Sequence, residues 1–228
     1  MSTIIQTPTP NLERSIEFYS KLDFDLVEQG NSVFAVDSQS IIEINTDRFA
    51  RAGMKLYKPS WQGDVEALQE FTTVLKTENG YLLADPGNTW VYLIEGEAPM
   101  VQKGHTPCLL GNYAGFSLEM VDMGKGASIW NALGFKTTSG GPEQGWVALQ
   151  NEEGTTISLM RPNSCPHLFF NPSLTYFNGK EGNPKVIQAL RDHDIPLTEE
   201  ITHFNKEGLV DNVIVRDPGG FGFFVFND

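Results

Sequence analysis

Residues 85–95 read DPGNTWVYLIE and residues 217–226 read DPGGFGFFVF, so an Asp-Pro-Gly turn followed by a hydrophobic strand occurs in each half of the chain. Pro and Gly favour a tight turn, and the aromatic and β-branched residues behind them favour a strand. Each half also opens with an apolar strand and a short amphipathic helix. The sequence therefore predicts an internal repeat whose copies are separated by a Pro- and Gly-punctuated linker near 96–112.

A smaller unit of one strand, one helix and three strands occurs twice within each half. In the first unit a strand at 4–7 stops at Pro8, and Asn11 is a good N-cap for the helix that follows. That helix has an apolar stripe at Leu12, Ile16, Tyr19 and Leu22. Alternating residues predict the later strands, at 23–27, 32–36 and 40–44.

The other three units follow the same plan. The second has a strand at 54–57, a helix capped by Asp64, and strands near 73–77, 80–84 and 89–94. The third has a strand at 113–121, a helix ending at Leu133, and strands around 135, 146–150 and 155–160. The fourth has a strand at 174–178, a helix capped by Asn183 with Pro184 in its first position, and strands near 201–205, 212–216 and 221–226.

Composition limits the class of protein and of partner. The chain has 228 residues, of which 40% are hydrophobic and 20% charged, which is typical of a globular protein. Its formal net charge of −13 disfavours nucleic acid and anionic membrane surfaces as partners. No apolar stretch approaches the about 20 residues of a membrane span, and we read no signal peptide at the N-terminus. With only Cys108 and Cys165, we expect a cytoplasmic protein.

The opening of the chain resembles a known superfamily. Residues 11–19 (NLERSIEFY) followed by Leu22-Asp23-Phe24 resemble the D-L-x-x-S-x-x-F-Y…L-G-F opening of the vicinal oxygen chelate superfamily, which includes glyoxalase I, bleomycin-resistance proteins and extradiol dioxygenases. A degraded copy lies in residues 121–135, and the Asp-Pro-Gly turns resemble the family's D-P-D-G-N-x-x-E turn.

The resemblance implies an α+β fold in which four tandem βαβββ units pair into two cup-shaped, barrel-like mixed sheets with helices outside. The first glyoxalase- or bleomycin-resistance-like domain would cover residues 1–98, the linker 99–112, and the second domain 113–228. The family holds its ligands in the concave interior of such cups.

Most family enzymes place His, Gln or Glu on the concave strands to bind a divalent metal. In the family pattern a His lies about seven residues before the first helix and a Glu about three residues after the Asn of the turn. Counting from these landmarks gives Ile4 and Gly115 for the His, and Val91 and Phe223 for the Glu. None of these side chains is a metal ligand. We therefore expect no cofactor, although Gln6, two residues from Ile4 on the same strand face, could serve if the register slips.

A zinc site is a further alternative, because His105 with Cys108 and Cys165 with His167 would supply two ligands each. Prolines interrupt both pairs, and the second spacing is short for a zinc knuckle. Loop residues beside prolines are the simpler interpretation.

The expected function is binding of a small, partly aromatic organic molecule in a cup that lacks the metal triad. The predicted ligand-binding residues lie on the expected concave faces or at their borders: Gln6, Lys55, Tyr57, Ser117, Glu119, His167, Tyr176, Phe221 and Phe223. Val91, Leu93 and Val225 are expected to line the same faces. Bleomycin-resistance proteins are the family's precedent for binding without catalysis. We expect a monomer or a homodimer.

Two other functions stay open. The chain could be a metal-dependent lyase, isomerase or extradiol-type dioxygenase with shifted ligands, that is, a glyoxalase- or dioxygenase-like lyase or oxidoreductase. It could also be an interaction protein whose cups are packed shut. The sequence identifies neither the ligand nor the cup that holds it.

Overall fold

Four successive βαβββ units make up the computed structural model, which describes residues 1–164 and 166–227. The first unit comprises β1 (Ser2–Pro8), α1 (Leu12–Lys21), β2 (Asp25–Gln29), β3 (Ser32–Val36) and β4 (Ile41–Asn45). The second comprises β5 (Gly53–Lys58), α2 (Gln62–Gln69), β6 (Val74–Thr77), β7 (Gly80–Ala84) and β8 (Trp90–Glu95).

The second half repeats this order. Its first unit comprises β9 (Tyr113–Glu119), α3 (Met123–Ala132), β10 (Lys136–Gly141), β11 (Trp146–Gln150) and β12 (Thr156–Met160), with a single 3-10 turn at Pro142–Gln144. Its second unit comprises β13 (Ser173–Phe177), α4 (Gly179–Asp192), β14 (Leu197–Ile201), β15 (Asn212–Arg216) and β16 (Gly222–Phe226).

Each half forms one mixed sheet of eight strands. The order is β2-β3-β4-β1-β5-β8-β7-β6 in the first sheet and β10-β11-β12-β9-β13-β16-β15-β14 in the second. In both sheets the two central strands are antiparallel, and each pairs in parallel with the last strand of its own unit. The predicted α+β fold of four paired units in two cup-shaped sheets is confirmed. Both sheets are open, because their edge strands do not pair with each other.

Local signals explain why α1 forms where the sequence predicts it. The side chain of Asn11 caps the helix by accepting a hydrogen bond from the backbone N–H of Arg14 at 3.0 Å. Glu13 lies in the first turn and Lys21 in the last, which complements the helix dipole. The face that carries Phe18 and Tyr19 is buried.

Three sequence-based boundaries are wrong. The helix α4 begins at Gly179, so Asn183 lies inside it, where its buried amide donates to the backbone oxygens of Asp211 and Val225 instead of capping the helix. The helix α2 begins at Gln62, and Asp64 lies in its first turn, where it pairs with Lys58. The strand expected near 201–205 is β14, which ends at Ile201.

A single hydrophobic core joins the two halves of the chain. It contains residues of both sheets and of α1, α2, α3 and α4. The ring of Phe18 in α1 lies 6.1 Å from that of Phe223 in the second sheet, and the ring of Tyr19 lies 6.2 Å from it. Each fully buried aromatic or aliphatic side chain contributes about 1.5–3 kcal/mol relative to an exposed one. Much of the stability is therefore shared between the halves.

The Asp-Pro-Gly turns add polar contacts across the same boundary. The hydroxyl groups of Tyr19 and Thr7 donate to Oδ2 of Asp217 at 3.0 and 2.6 Å. The indole N–H of Trp130, in α3, donates to Oδ2 of Asp85 at 3.3 Å. Burial raises the pKa of both carboxyl groups, although these hydrogen bonds favour the charged form. Each half thus supplies donors to the turn of the other.

No helix within the described residues is both long enough and apolar enough to cross a bilayer.

Candidate functional site

The two faces of each sheet have different environments. In the first sheet Ile5 and Val91 belong to the shared core, whereas Ile4 belongs to a separate cluster on the opposite face. Register places Lys55 opposite Ile4, and Tyr92 opposite Lys55. We call this opposite, concave face the first cup, and the corresponding face of the second sheet the second cup.

The same register relates the two cups position by position. Gln6 pairs with Glu43 in the first cup, and Ser117 pairs with Ser158 in the second. Equally, Lys55 pairs with Tyr92, and Thr175 pairs with Phe224. Ile4 and Gly115 also occupy equivalent places, opposite Lys55 and Thr175.

The first cup is filled by its own polar side chains. Nζ of Lys55 lies 2.6 Å from Oε2 of Glu43, and the side chains are only 14% and 8% exposed. Gln6 donates to the backbone oxygen of Arg51 at 2.9 Å and accepts from the side chain of Asn45 at 2.8 Å. These buried groups satisfy one another, which is what a polar interior requires.

Tyr57 lies at the apolar end of the first cup. Burial raises the pKa of its hydroxyl, and the charge of Glu43 raises it further. Tyr57 packs in a small cluster with Ile4, Phe34 and Val36. Its phenol therefore stays protonated at any physiological pH.

The linker covers the apolar end of the first cup. Val101 in the linker, and Ala98 just before it, pack against the cluster that contains Ile4 and Tyr57. The buried carboxylate of Asp37 holds the linker in place, because its Oδ2 accepts a hydrogen bond from the backbone N–H of Cys108 at 3.1 Å. A cavity of about 310 Å³ is left beside the linker.

The second cup contains a larger and more apolar cavity, of about 570 Å³. Six aromatic side chains from strands and loops line it: Trp146, Phe169, Phe177, Phe204, Phe224 and Phe226. The other lining residues are small, polar or aliphatic: Ala114, Ser117, Ala148, Thr156, Ser158, Leu159, Met160, His167, Thr175 and Asn212.

Two buried hydroxyl groups are paired in the wall of this cavity. Oγ of Ser117 lies 2.6 Å from Oγ1 of Thr175, and these residues are 3% and 5% exposed. Ser117 lies on β9 and Thr175 on the neighbouring β13, so the pair bridges the two central strands of the sheet.

His167 borders the cavity on the loop between β12 and β13. Its ring lies 5.5 Å from that of Phe224 and 5.4 Å from that of Phe226. Both ring nitrogens are buried, and neither has a hydrogen-bond partner among the described residues. Burial lowers the pKa of His167, and the charge of Glu199 opposes this shift. The neutral imidazole is therefore the favoured form.

The predicted site residues divide between the two cups. Gln6, Lys55 and Tyr57 lie in the first, and the structure brings Ser117 and His167 together in the lining of the second cavity. Glu119 follows Ser117 on the same strand face but does not line the cavity. Partial burial raises the pKa of its carboxyl group.

The predicted placement of Phe221 and Phe223 on the concave face, and of Tyr176 at its border, is wrong. All three belong to the shared core, as do Val91, Leu93 and Val225. A shift of one residue moves every side chain of a strand to its other face. Phe224 and Phe226 are the residues of β16 that reach the second cup, and sequence reasoning missed both.

The length of the turn could have revealed the correct face. Each turn here reads Asp-Pro-Gly-Asn or Asp-Pro-Gly-Gly, one residue shorter than the family's D-P-D-G-N. Counting from the Asp rather than from the Asn moves the family's Glu position to Tyr92 and Phe224, which face the cups. Neither is a carboxylate.

The side chains of the cups do not fit a family-type metal. The described residues contain no group of three His, Cys, Asp or Glu side chains placed to hold an ion. At the expected ligand positions of the second cup stand Gly115 and Phe224, neither of which offers a donor.

The residues of the alternative zinc site differ in their exposure to solvent. His105 is exposed in the linker, whereas Cys108 is 3% exposed in the core. Burial raises the pKa of the Cys108 thiol, which disfavours the thiolate that zinc binds. Cys165 lies outside the described residues.

Comparisons with known proteins identify the fold. No protein-family model matches the chain, and no curated protein sequence matches it. Among solved structures, a catechol 2,3-dioxygenase aligns with 97% of this chain and 85% of its own, at 14% identity and a TM-score of 0.54.

Two further solved structures align over a similar extent. The 2,3-dioxygenase LapB from Pseudomonas sp. KL28 aligns with 97% of this chain and 89% of its own, at 15% identity and a TM-score of 0.57. A mutant of 4-hydroxymandelate synthase from Streptomyces coelicolor aligns over 97% and 90%, at 12% identity and a TM-score of 0.58. The chain thus has the vicinal oxygen chelate fold, as the sequence resemblance implied.

Proposed function

We propose that this protein binds a small aromatic molecule in the second cup and does so without a family-type metal. The cavity of about 570 Å³ walled by six aromatic rings is the observation that carries the proposal. Pockets for small molecules have volumes of about 300–1,000 Å³ and are mostly apolar with a few polar groups. The second cup has this composition, whereas the first is filled by the Glu43–Lys55 pair and covered by the linker.

The solved structures with the same fold are compatible with an aromatic ligand. Their names mention catechol and 4-hydroxymandelate, which contain an aromatic ring. This likeness suggests which aromatic molecules to use as probes. The aromatic side chains that line the cavity support an aromatic ligand independently of the likeness. Stacked and edge-to-face aromatic contacts add about 0.5–1.5 kcal/mol each beyond area burial.

The test is a titration of the purified protein with ethylbenzene, 4-ethylphenol and 4-hydroxyphenylacetate, followed by calorimetry and by NMR. We expect at least one probe to bind with a dissociation constant below about 1 mM, which corresponds to about −4.1 kcal/mol. The indole signal of Trp146 should shift, whereas that of Trp90, which shares the first-cup face of β8 with Tyr92, should not. Absence of binding by all three probes, or shifts centred on Trp90, would overturn the proposal.

Metal analysis decides between this function and the metal-dependent alternative. Near-stoichiometric Fe, Mn, Zn or Ni in the purified protein, together with loss of probe binding after chelation, would support a dioxygenase- or lyase-like enzyme instead. We expect probe binding to be the same before and after chelator treatment.

The remaining expectations are part of the same proposal. We propose a cytoplasmic location, which the low number of cysteines supports. We propose a monomer or a homodimer as the binding form. The net charge of −13 argues against nucleic acid and anionic membranes as partners.

A further inference from the structure

The wall of the second cavity carries no formal charge. None of its lining residues, within the part of the chain that the structure describes, is Asp, Glu, Lys or Arg. A charged group loses its hydration when it enters such a cavity, and no opposite charge in the wall compensates for that loss. The net charge of −13 adds a long-range repulsion for anions. The cavity therefore favours uncharged molecules.

The hydroxyl pair supplies one directional contact. Ser117 and Thr175 together carry two hydroxyl hydrogens, and only one is used in the 2.6 Å bond between them. Neither side-chain oxygen has another hydrogen-bond partner among the described residues, and both residues line the cavity. One hydroxyl hydrogen and several acceptor lone pairs therefore remain for a ligand.

The uncharged wall and the free hydroxyl hydrogen together narrow the class of ligand, provided that the second cup binds a ligand as proposed. We propose that the second cup selects an uncharged aromatic molecule that carries an oxygen substituent, and that this oxygen binds the Ser117–Thr175 hydroxyl pair. The ring lies among the phenylalanines, and the oxygen accepts the unused hydroxyl hydrogen. A carboxylate on the same ring is excluded because the wall offers it no cation.

The three probes named above test this inference within the unmodified protein. We expect 4-ethylphenol to bind about tenfold more tightly than ethylbenzene, which lacks the oxygen. We expect 4-hydroxyphenylacetate, the same phenol with a carboxylate, to bind at least about 100-fold more weakly than 4-ethylphenol. Equal affinity for the two phenols, or for 4-ethylphenol and ethylbenzene, would overturn the inference and leave the proposed function standing.

Variants locate the contact. S117A and T175V remove the hydroxyl groups with little change of shape, and T137V is the matched control on the exposed part of β10. The double variant should bind 4-ethylphenol about tenfold more weakly and ethylbenzene unchanged, and T137V should match the parent. Equal loss for both ligands in the folded double variant would contradict the assigned contact. Binding of none of the probes to the parent would instead refute the proposed function itself.

Discussion

The two cups share one backbone plan but have opposite interiors. At four positions matched by register, the first cup carries a larger or charged side chain where the second carries a small one: Gln6 and Ser117, Glu43 and Ser158, Lys55 and Thr175, Phe34 and Ala148. The second cup therefore lacks the ion pair and the phenyl ring of the first, and it contains a cavity of about 570 Å³. A duplicated fold can thus keep one cup as structure and the other as a pocket.

The comparison is most strongly tested by breaking the ion pair of the first cup. Lys55→Met leaves Glu43 buried without its partner, and we expect a loss of about 3–5 kcal/mol in the free energy of unfolding. Urea denaturation measures this loss. The double variant K55M/E43L should recover most of it, since both charges are then removed. A loss below about 1 kcal/mol in K55M would show that the pair does not stabilise the first cup.

The second test gives the second cup a residue of the first. Ala148→Phe installs the ring that Phe34 supplies in the first cup, and we expect 4-ethylphenol to bind at least about 100-fold more weakly because the cavity is filled. Calorimetry measures the affinity, and thermal unfolding verifies that the variant is folded. Unchanged affinity in a folded A148F protein would place the ligand elsewhere.

The third test uses the only titratable side chain that lines the described cavity. Burial lowers the pKa of His167, so its protonation should occur below the ordinary value of about 6.5. Protonation places a cation among apolar rings, so we expect affinity for 4-ethylphenol to fall by up to about tenfold between pH 8 and pH 5.

Folding stability should change in the same direction as the affinity. His167 binds a proton more readily in the unfolded chain than in the folded one. The stability contributed by the neutral, buried imidazole is therefore present above the unfolded pKa and is lost as the pH falls below it. His167→Leu should flatten the pH profile of binding. A profile that keeps its full slope in H167L would assign the pH dependence to another group.

The smallest expected effect concerns the linker. Val101→Ala removes two methyl groups from the cover of the first cup, and we expect a loss of about 1 kcal/mol in stability. Binding of 4-ethylphenol by the second cup should stay unchanged, which chemical denaturation and calorimetry together can show. Altered affinity in V101A would indicate that the two cups are energetically coupled.

Much of the fold could be predicted because its signals are local. The N-cap at Asn11, the alternating strands and the repeated Asp-Pro-Gly turns each depend on neighbouring residues, and their order specified four βαβββ units. The boundary of α4 failed because the partners of Asn183 lie far along the chain, at Asp211 and Val225.

The site was harder to predict because it depends on which face a strand presents. The position of Ser117 followed correctly from its spacing to Gly115 on one strand. On β16, by contrast, the turn is one residue shorter than in the family pattern, so a count from the end of the turn gives Phe223, whereas Phe224 faces the cup. The linker covers one cup and leaves the other open. Hydrophobic periodicity does not predict this arrangement, because the linker has no periodic pattern.

The aspartates of the two turns have a consequence for how the molecule would come apart. Asp217 accepts a hydrogen bond from the hydroxyl of Tyr19, and Asp85 accepts one from the indole of Trp130. Each half therefore contains a buried aspartate whose hydrogen-bond donor lies in the other half. A protease cut between residues 99 and 112 should therefore leave two fragments that remain associated. Produced alone, either fragment would expose a broad aromatic surface and aggregate.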